Sequence, residues 1–234
     1  MIFDKPEDFY KVYDSYKVYE PQNLKPKHIR SFDREFWRPS LCSPEMSFLE
    51  IGCGTGLFLD YLRHKGVKDY LGVEQDQHAV DAAMPEISPH IQVINVWNYL
   101  ENTKPEKPFD RIILFDVLEH FSYVDGAGLL SKLASILNRQ NGMITLRVPN
   151  MASPWGSMYQ FGDLTHQSAY TPKSIEQLAL AAGLKCHAFL PQQRGSAFNR
   201  LTENCLHGFL SFVLTASPAI WTPNMIAVLK QSDN

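Results

Sequence analysis

The sequence lacks the features that mark several common classes of protein. Its four cysteines form no C-x-x-C pair, so nothing signals a structural zinc site or a disulfide framework. Lysine and arginine number 22 against 25 aspartate and glutamate residues, and this balance lacks the basic surplus typical of nucleic-acid binders. The opening residues MIFDKPEDFY contain neither a basic nor an apolar run. We therefore expect no signal peptide and a cytoplasmic location.

Charged side chains are missing altogether from one long segment. Between Asn204 and Leu229 there is no aspartate, glutamate, lysine or arginine. His207, Pro218 and several hydroxyl residues interrupt this segment, so we expect no transmembrane span. We predict an apolar helix and a final strand within 204–230. The helix is interpreted either as packed in the core or in a homodimer, or as a peripheral membrane contact through 204–221.

Short apolar runs alternate with helical patterns in the middle of the chain. This alternation is typical of βαβ units with a parallel sheet. Further on, Thr171 and Pro172 predict the start of a helix that Gly183 ends. The segments predicted as strands are 47–51, 70–74, 91–96, 110–116, 142–148, 184–190 and 222–230.

The first predicted strand runs into a turn with three alternating glycines, Gly52, Gly54 and Gly56. A dinucleotide fingerprint needs its third glycine one place later, where Leu57 stands, and a P-loop needs a lysine that is absent. Glu74 ends the second predicted strand, where a carboxylate can accept both hydroxyls of a ribose. The pattern therefore indicates a nucleoside ligand whose bulk near the turn is not a pyrophosphate.

Four motifs follow one another in a specific order: LEIGCGTG, GVEQD, FDRIILFDVLEHF and a glycine-led strand ending in VPN. Together they resemble the motifs of class I S-adenosylmethionine-dependent methyltransferases, over about residues 45–190. The resemblance implies an α/β fold with a Rossmann-like, seven-stranded, mainly parallel sheet flanked by helices, its last strand antiparallel. We expect an N-terminal helical lid segment at 1–45 and a methyltransferase domain at 46–234.

The DVLEH element and the later GDLTHQSAYTPKS segment narrow the resemblance. They are similar to ubiquinone-type O-methyltransferases and to methyltransferases of bacterial surface-polysaccharide biosynthesis. The resemblance therefore implies a small-molecule or saccharide acceptor. An N/D-P-P-Y/F element, typical of enzymes that methylate nucleic-acid bases, is absent after the fourth strand, where Asp116 to Glu119 stand. Together with the acidic net charge, this makes a nucleic-acid substrate unexpected.

The resemblance also implies S-adenosyl-L-methionine as cofactor and S-adenosyl-L-homocysteine as product. The glycine turn would hold the methionine part, Glu74 the ribose and Gln75 the adenine. The family often has an acidic residue near Trp97 for the adenine; here Asn98 or a stacked Trp97 ring would replace it, unless Trp97 only packs in the core. The expected cofactor residues are Glu50, Gly52, Cys53, Gly54, Gly56, Glu74, Gln75, Val96, Trp97, Asn98 and Phe115.

Methyl transfer to a hydroxyl needs help with the proton, and histidine is the usual helper near neutral pH. His120 and His166 are the candidates, although either could have a purely structural role, such as capping a turn. Asp116 is expected to line the methyl-transfer pocket, and Asp163 to orient His166. Glu119 is expected on an exposed helix surface. No metal is implied, because no cluster shows ligand spacing along the chain.

Aromatic residues are placed where they could cover the site. Tyr10, Tyr13, Tyr16 and Tyr19 recur every three residues and indicate either a lid or a helix packed permanently on the sheet. Trp155 and Tyr159 follow the fifth strand and either form the acceptor wall or bury their own loop. The expected substrate residues are Tyr16, Trp155, Tyr159 and Asp163.

The favoured function is O-methylation of a small-molecule or saccharide hydroxyl by a histidine-assisted in-line displacement. Methylation of carbon or nitrogen in a small metabolite is the first alternative. A module that binds the cofactor without catalysis is the second.

Overall fold

A seven-stranded sheet forms the middle layer of the structure, a computed structural model that describes residues 6–12 and 19–232. The strand order is β3-β2-β1-β4-β5-β7-β6, and β7 runs antiparallel to both of its neighbours. This confirms the expected mainly parallel sheet with an antiparallel last strand. The strands are β1 Ser47–Ile51, β2 Asp69–Glu74, β3 Ile91–Val93, β4 Arg111–Phe115, β5 Met143–Pro149, β6 Leu184–Pro191 and β7 Asn224–Gln231.

Helices cover both faces of the sheet. A π-turn, Asp33–Trp37, continues the first helix, and short 3-10 turns lie at Pro6–Val12, Ser88–His90 and Leu118–His120. The helices are α1 Pro26–Phe32, α2 Leu57–His64, α3 Gln77–Asp81, α4 Val96–Asn102, α5 Tyr123–Ser135, α6 Ser157–Gln160, α7 Pro172–Ala181 and α8 Ala197–Val213. At the start of α7 the Thr171 hydroxyl accepts the Ser174 N–H, which confirms the cap predicted from the sequence.

Two apolar clusters hold the layers together. On one face, Leu49 and Ile112 of the sheet pack with Leu129 and Leu133 of α5. The other face is aromatic, with the π-turn and α2 contributing rings such as Phe36, Phe58 and Tyr61. Both faces of the central strands are therefore buried, as parallel strands require, and the carboxyl ends of the strands are where a ligand can approach.

The strand predicted at 91–96 is shorter than expected. Strand β3 ends at Val93, and the Asn95 side chain accepts the Trp97 N–H, so that α4 begins at Val96. Asparagine is a strong helix cap, and this local preference overrides the apolar run that suggested a longer strand.

Helix α8 also departs from the prediction. It begins at Ala197, before the uncharged segment, and ends at Val213, and none of its residues is buried. Packing of this helix in the core of the domain was therefore a wrong expectation. Among the residues that the structure describes, no helix has the length and hydropathy needed to cross a membrane.

Candidate active site

A cavity of about 670 Å³ lies where the strand order reverses. The chain runs outward from β1 to β3 and then returns to place β4 on the other side of β1. Ligands in sheets of this kind bind at such a switch point, beyond the carboxyl ends of the strands. The predicted site residues that line the cavity are Gly52, Gly54, Glu74, Gln75, Val96, Trp97, Phe115, Asp116 and His120.

The three glycines of the turn all have a positive φ, yet they meet different surroundings. A Cβ at Gly54 would find no atom within 4 Å, and this residue lines the cavity. A Cβ at Gly56 would lie 2.5 Å from the Ile87 side chain, and one at Gly52 would lie 2.6 Å from Val117. Gly54 therefore leaves room beside the cavity, whereas Gly56 serves packing inside the domain.

The Glu74 carboxylate is held by backbone N–H groups. Its Oε2 accepts the N–H of Gly54 at 2.8 Å, and its Oε1 accepts those of Gln75 at 2.8 Å and Asp76 at 3.0 Å. These bonds join the glycine turn to the end of β2 and fix the direction of both oxygens. A carboxylate oxygen has about two acceptor positions, so Oε1 is fully used and Oε2 retains one position for a donor on a ligand.

Asn95 and Trp97 form the next part of the wall. The Asn95 amide donates to Gln75 Oε1 at 3.0 Å, and its oxygen caps α4. Trp97 lines the cavity and also packs edge-on against Phe121, with ring centroids 5.9 Å apart. Asn98 points to solvent outside the cavity lining. Asn95, rather than Asn98, is therefore the amide at the cavity, a residue that its capping pattern could have identified.

Two expected cofactor residues lie behind the turn. Glu50 and Cys53 are buried, and neither belongs to the cavity lining. Burial raises the pKa of the Glu50 carboxyl well above its usual range. Their positions indicate support of the turn from within the domain.

His120 is oriented by a chain of hydrogen bonds. The buried Thr165 hydroxyl donates to Asp163 Oδ1 at 2.6 Å and lies 2.9 Å from His120 Nδ1. Because the hydroxyl proton is directed to the carboxylate, the Thr165 oxygen can accept from Nδ1–H. In the tautomer that carries Nδ1–H, the lone pair of the imidazole is on Nε2.

His166 lies against His120 but takes its orientation from another group. Its Nδ1–H donates to the Gln160 carbonyl at 2.9 Å, and the two imidazole centroids are 4.6 Å apart. The Asp163 carboxylate accepts from the Thr165 hydroxyl, and its role in orienting His166 stays a prediction. His120, Asp163 and His166 each have one potential metal ligand atom within 4.8 Å of the others. Spacing along the chain could not reveal this cluster, because the DVLEH and DLTH motifs are far apart in sequence.

Asp116 stands at the carboxyl end of β4 with a left-handed backbone, φ 58°. Its carboxylate accepts two hydrogen bonds from Arg147, at 2.9 and 2.5 Å. Glu119 is 1% exposed, so its expected position on a helix surface is wrong. Burial, reinforced by the Asp116 charge, raises the pKa of the Glu119 carboxyl well above its usual range.

The N-terminal segment reaches the cavity through Tyr10 and Tyr19. The Tyr10 hydroxyl lies 3.0 Å from His120 Nδ1, and burial raises the pKa of Tyr10 to about 12. Tyr13 and the expected substrate residue Tyr16 lie outside the described residues. Further along, Phe32 of α1 packs against Phe58, so this part of the segment is fixed on the sheet.

Trp155 and Tyr159 are placed away from the main cavity. Tyr159 lines a second, open cavity of about 610 Å³ and accepts a hydrogen bond from Arg194. Trp155 is half exposed in the loop after β5. The residues of the main cavity that sequence reasoning did not assign to a site include Asn95, Val117, Phe121, Asp125 and Gln167.

Comparison with solved structures supports the fold over almost the whole chain. A S-adenosylmethionine-dependent methyltransferase from Archaeoglobus fulgidus matches with a TM-score of 0.64 and 17% identity, covering 96% of this chain and 99% of the other. Magnesium protoporphyrin IX methyltransferase from Synechocystis, solved with bound S-adenosylmethionine, matches with a TM-score of 0.61 and 12% identity, covering 99% of each chain.

Sequence comparison leads to the same group of proteins. A ubiquinone biosynthesis O-methyltransferase from Bradyrhizobium diazoefficiens is 29% identical over 122 residues, 52% of this chain and 46% of the relative. The chain spans less than half the length of the curated relatives that it matches. The family model described as a methyltransferase domain matches residues 23–188 of this chain. The chain therefore belongs to the methyltransferase-domain family and has the fold of class I S-adenosylmethionine-dependent methyltransferases.

Proposed function

We propose that this protein transfers a methyl group from S-adenosylmethionine to a hydroxyl of a small molecule or saccharide. The observation that carries the proposal is a single cavity lined by the open glycine turn, the Glu74 carboxylate and the His120 imidazole. A nucleoside-recognising carboxylate and a base beside one cavity are what a cofactor-dependent transfer to a hydroxyl requires.

The residues of the turn fit the cofactor. Gly54 leaves space where a side chain would project, and the acceptor position that remains on Oε2 of Glu74 suits a hydroxyl of a ribose. Gln75, Asn95 and Trp97 provide polar and aromatic surface for the adenine. When bound, S-adenosylmethionine supplies an electrophilic methyl group, and the protein supplies alignment of the acceptor and a route for its proton.

The acceptor hydroxyl would lie beside His120. With Nδ1–H directed to Thr165, Nε2 takes the hydroxyl proton as the new oxygen–carbon bond forms. Asp116, fixed by Arg147, lines the same cavity and helps to position the acceptor. Tyr10 and Tyr19 belong to an N-terminal lid over the cavity, which excludes water during transfer.

Calorimetry with S-adenosylmethionine and S-adenosylhomocysteine tests the cofactor assignment. We expect Glu74→Ala to weaken binding roughly 10- to 100-fold, because charge-assisted hydrogen bonds are lost. Glu101→Ala, at an exposed position on α4, is the control and should bind normally. Unchanged affinity in Glu74→Ala would refute the ribose assignment.

A panel of hydroxyl, amine and activated-carbon acceptors, read by product mass and NMR, tests the reaction. We expect methyl ethers as products and loss of turnover in His120→Ala with cofactor binding preserved. Assays with and without Mg²⁺ after chelation separate an imidazole base from a cation at the His120–His166 cluster. Cofactor binding without transfer to any acceptor would favour the non-catalytic module.

A further inference from the structure

Helix α8 presents its apolar side to solvent and a mainly polar side to the domain. The half-buried residues are Arg200, Glu203, His207 and Leu210, and His207 stacks on Trp221 with ring centroids 5.4 Å apart. On the opposite side, Phe198 is 72% exposed, Leu201 61%, Phe209 61% and Phe212 87%. A helix normally turns its apolar side toward its own domain, so this inverted side is suited to a partner outside the domain.

The exposed side has the spacing of a helix-pairing seam. The spacing alternates between three and four residues, which is the a/d pattern of a coiled coil, at positions 198, 201, 205, 208 and 212. The middle of this seam has the small residues Cys205 and Gly208, and its ends have Phe198 and Phe212. A Cβ at Gly208 would meet no atom within 4 Å, so the centre is open to close approach by another helix.

Charge and area favour a protein partner over a bilayer. An interfacial helix usually places several lysine and arginine residues beside its apolar side, but α8 contains one arginine, Arg200, which is half-buried on the side that faces the domain, and no lysine. At ~200 Å² for a phenylalanine, the three exposed phenylalanines alone offer roughly 400 Å². The exposed apolar area is extended toward the ~800 Å² per partner of a standard interface by four further residues, each about half exposed or more: Leu201, Leu206, Val213 and Leu214.

We propose that α8 is a dimerisation helix that pairs with α8 of a second copy of this chain. An interface between identical surfaces has two-fold symmetry, and two antiparallel helices related by that axis satisfy it. The axis passes near Cys205, so that Leu201 faces Gly208 of the partner subunit and Phe198 faces Phe212 of the partner subunit. Large side chains thereby meet small ones at the centre, and phenylalanines meet at both ends. The pairing is independent of the identity of the methyl acceptor.

Sedimentation velocity of the full chain tests the pairing. We expect the wild type at twice the 26.7 kDa of one chain, and Leu201→Glu and Phe212→Glu as monomers. Leu180→Glu replaces a leucine that is 68% exposed on α7 and is the matched control, which should remain dimeric. Circular dichroism and cofactor binding by the variants separate loss of pairing from loss of folding. A monomeric wild type, or dimers in both α8 variants, would overturn the proposal.

Cys205 provides a second readout, because it is exposed and lies at the predicted axis. Mild oxidation at low protein concentration should give a disulfide-linked dimer, which Cys205→Ser and Phe212→Glu should each abolish. Flotation with neutral and anionic phosphatidylcholine-based vesicles tests the competing partner. Vesicle binding by a monomeric wild type, lost in Leu201→Glu, would assign the helix to a membrane and contradict the pairing.

Discussion

At the scale of single residues, Gly54 and Gly56 share a left-handed backbone but differ in what surrounds them. We predict that Gly56→Ala lowers the free energy of unfolding by about 2 kcal/mol or more, since a strained backbone is combined with a clash against Ile87. Gly54→Ala should lower the free energy of unfolding by the backbone strain alone, about 1 kcal/mol, and should chiefly weaken cofactor binding. Urea unfolding and calorimetry of both variants measure the two effects. An equal loss of stability in both variants would contradict this division of roles.

Glu119 makes the stability of the domain depend on pH. Its pKa is raised on folding by burial, so the unfolded chain releases the proton first and stability falls as pH rises above about 4.3, toward the raised folded value. We predict that Glu119→Gln removes this component and makes unfolding free energies at pH 5 and pH 8 more similar. Urea titrations at both pH values measure it, with Glu101→Gln as an exposed control. A pH dependence as steep as that of the wild type would show that Glu119 is not its source.

At the scale of elements, the loop after β5 reaches back to the turn after β4 through Thr165. We predict that Thr165→Val raises the fraction of neutral His120 that carries its proton on Nε2, because Nδ1–H loses the hydroxyl that accepts from it. Thr165→Ser retains the hydroxyl and should restore the wild-type tautomer ratio. NMR of ¹³C/¹⁵N-labelled histidine, assigned with His120→Gln, reports the tautomer and needs no acceptor. Identical tautomer ratios in wild type and Thr165→Val would exclude this positioning role.

The helices and strands show which structural features sequence patterns predict. Apolar runs and the Thr171 cap predicted the strands and α7 closely, because hydrophobic period and capping are local properties. Strand β3 was predicted too long, since the Asn95 cap competes with its apolar run. Local pattern also identified α8 as apolar but could not tell which side of it meets the domain.

Prediction of the site also succeeded for contiguous motifs and failed for contacts between distant parts of the chain. The glycine turn, Glu74 and His120 belong to contiguous motifs, and the structure brings them to one cavity. Thr165 is 45 residues from His120, and the burial of Glu119 depends on elements from distant parts of the chain. Such contacts arise only from the tertiary fold, and the local patterns of a single sequence do not predict them.

At the scale of the whole molecule, pairing through α8 would link stability to protein concentration. A folded dimer that unfolds to separate chains is stabilised by mass action, so we predict a Tm that rises with protein concentration. Leu201→Glu should remove this dependence, whereas Leu180→Glu should retain it. Differential scanning calorimetry over a 100-fold concentration range provides the measurement. A concentration-independent Tm in the wild type would count against the pairing.

The anchoring of Glu74 has a consequence for turnover under the proposed function. The acceptor position left on its Oε2 is suited to a ribose hydroxyl, which the methyl donor and the demethylated product have in common, so this contact cannot favour release of one over the other. We therefore expect strong product inhibition by S-adenosylhomocysteine, and Glu74→Ala should raise the product's inhibition constant and the donor's Kd by the same factor. The flux through the enzyme would then depend on how quickly the surrounding metabolism removes the product.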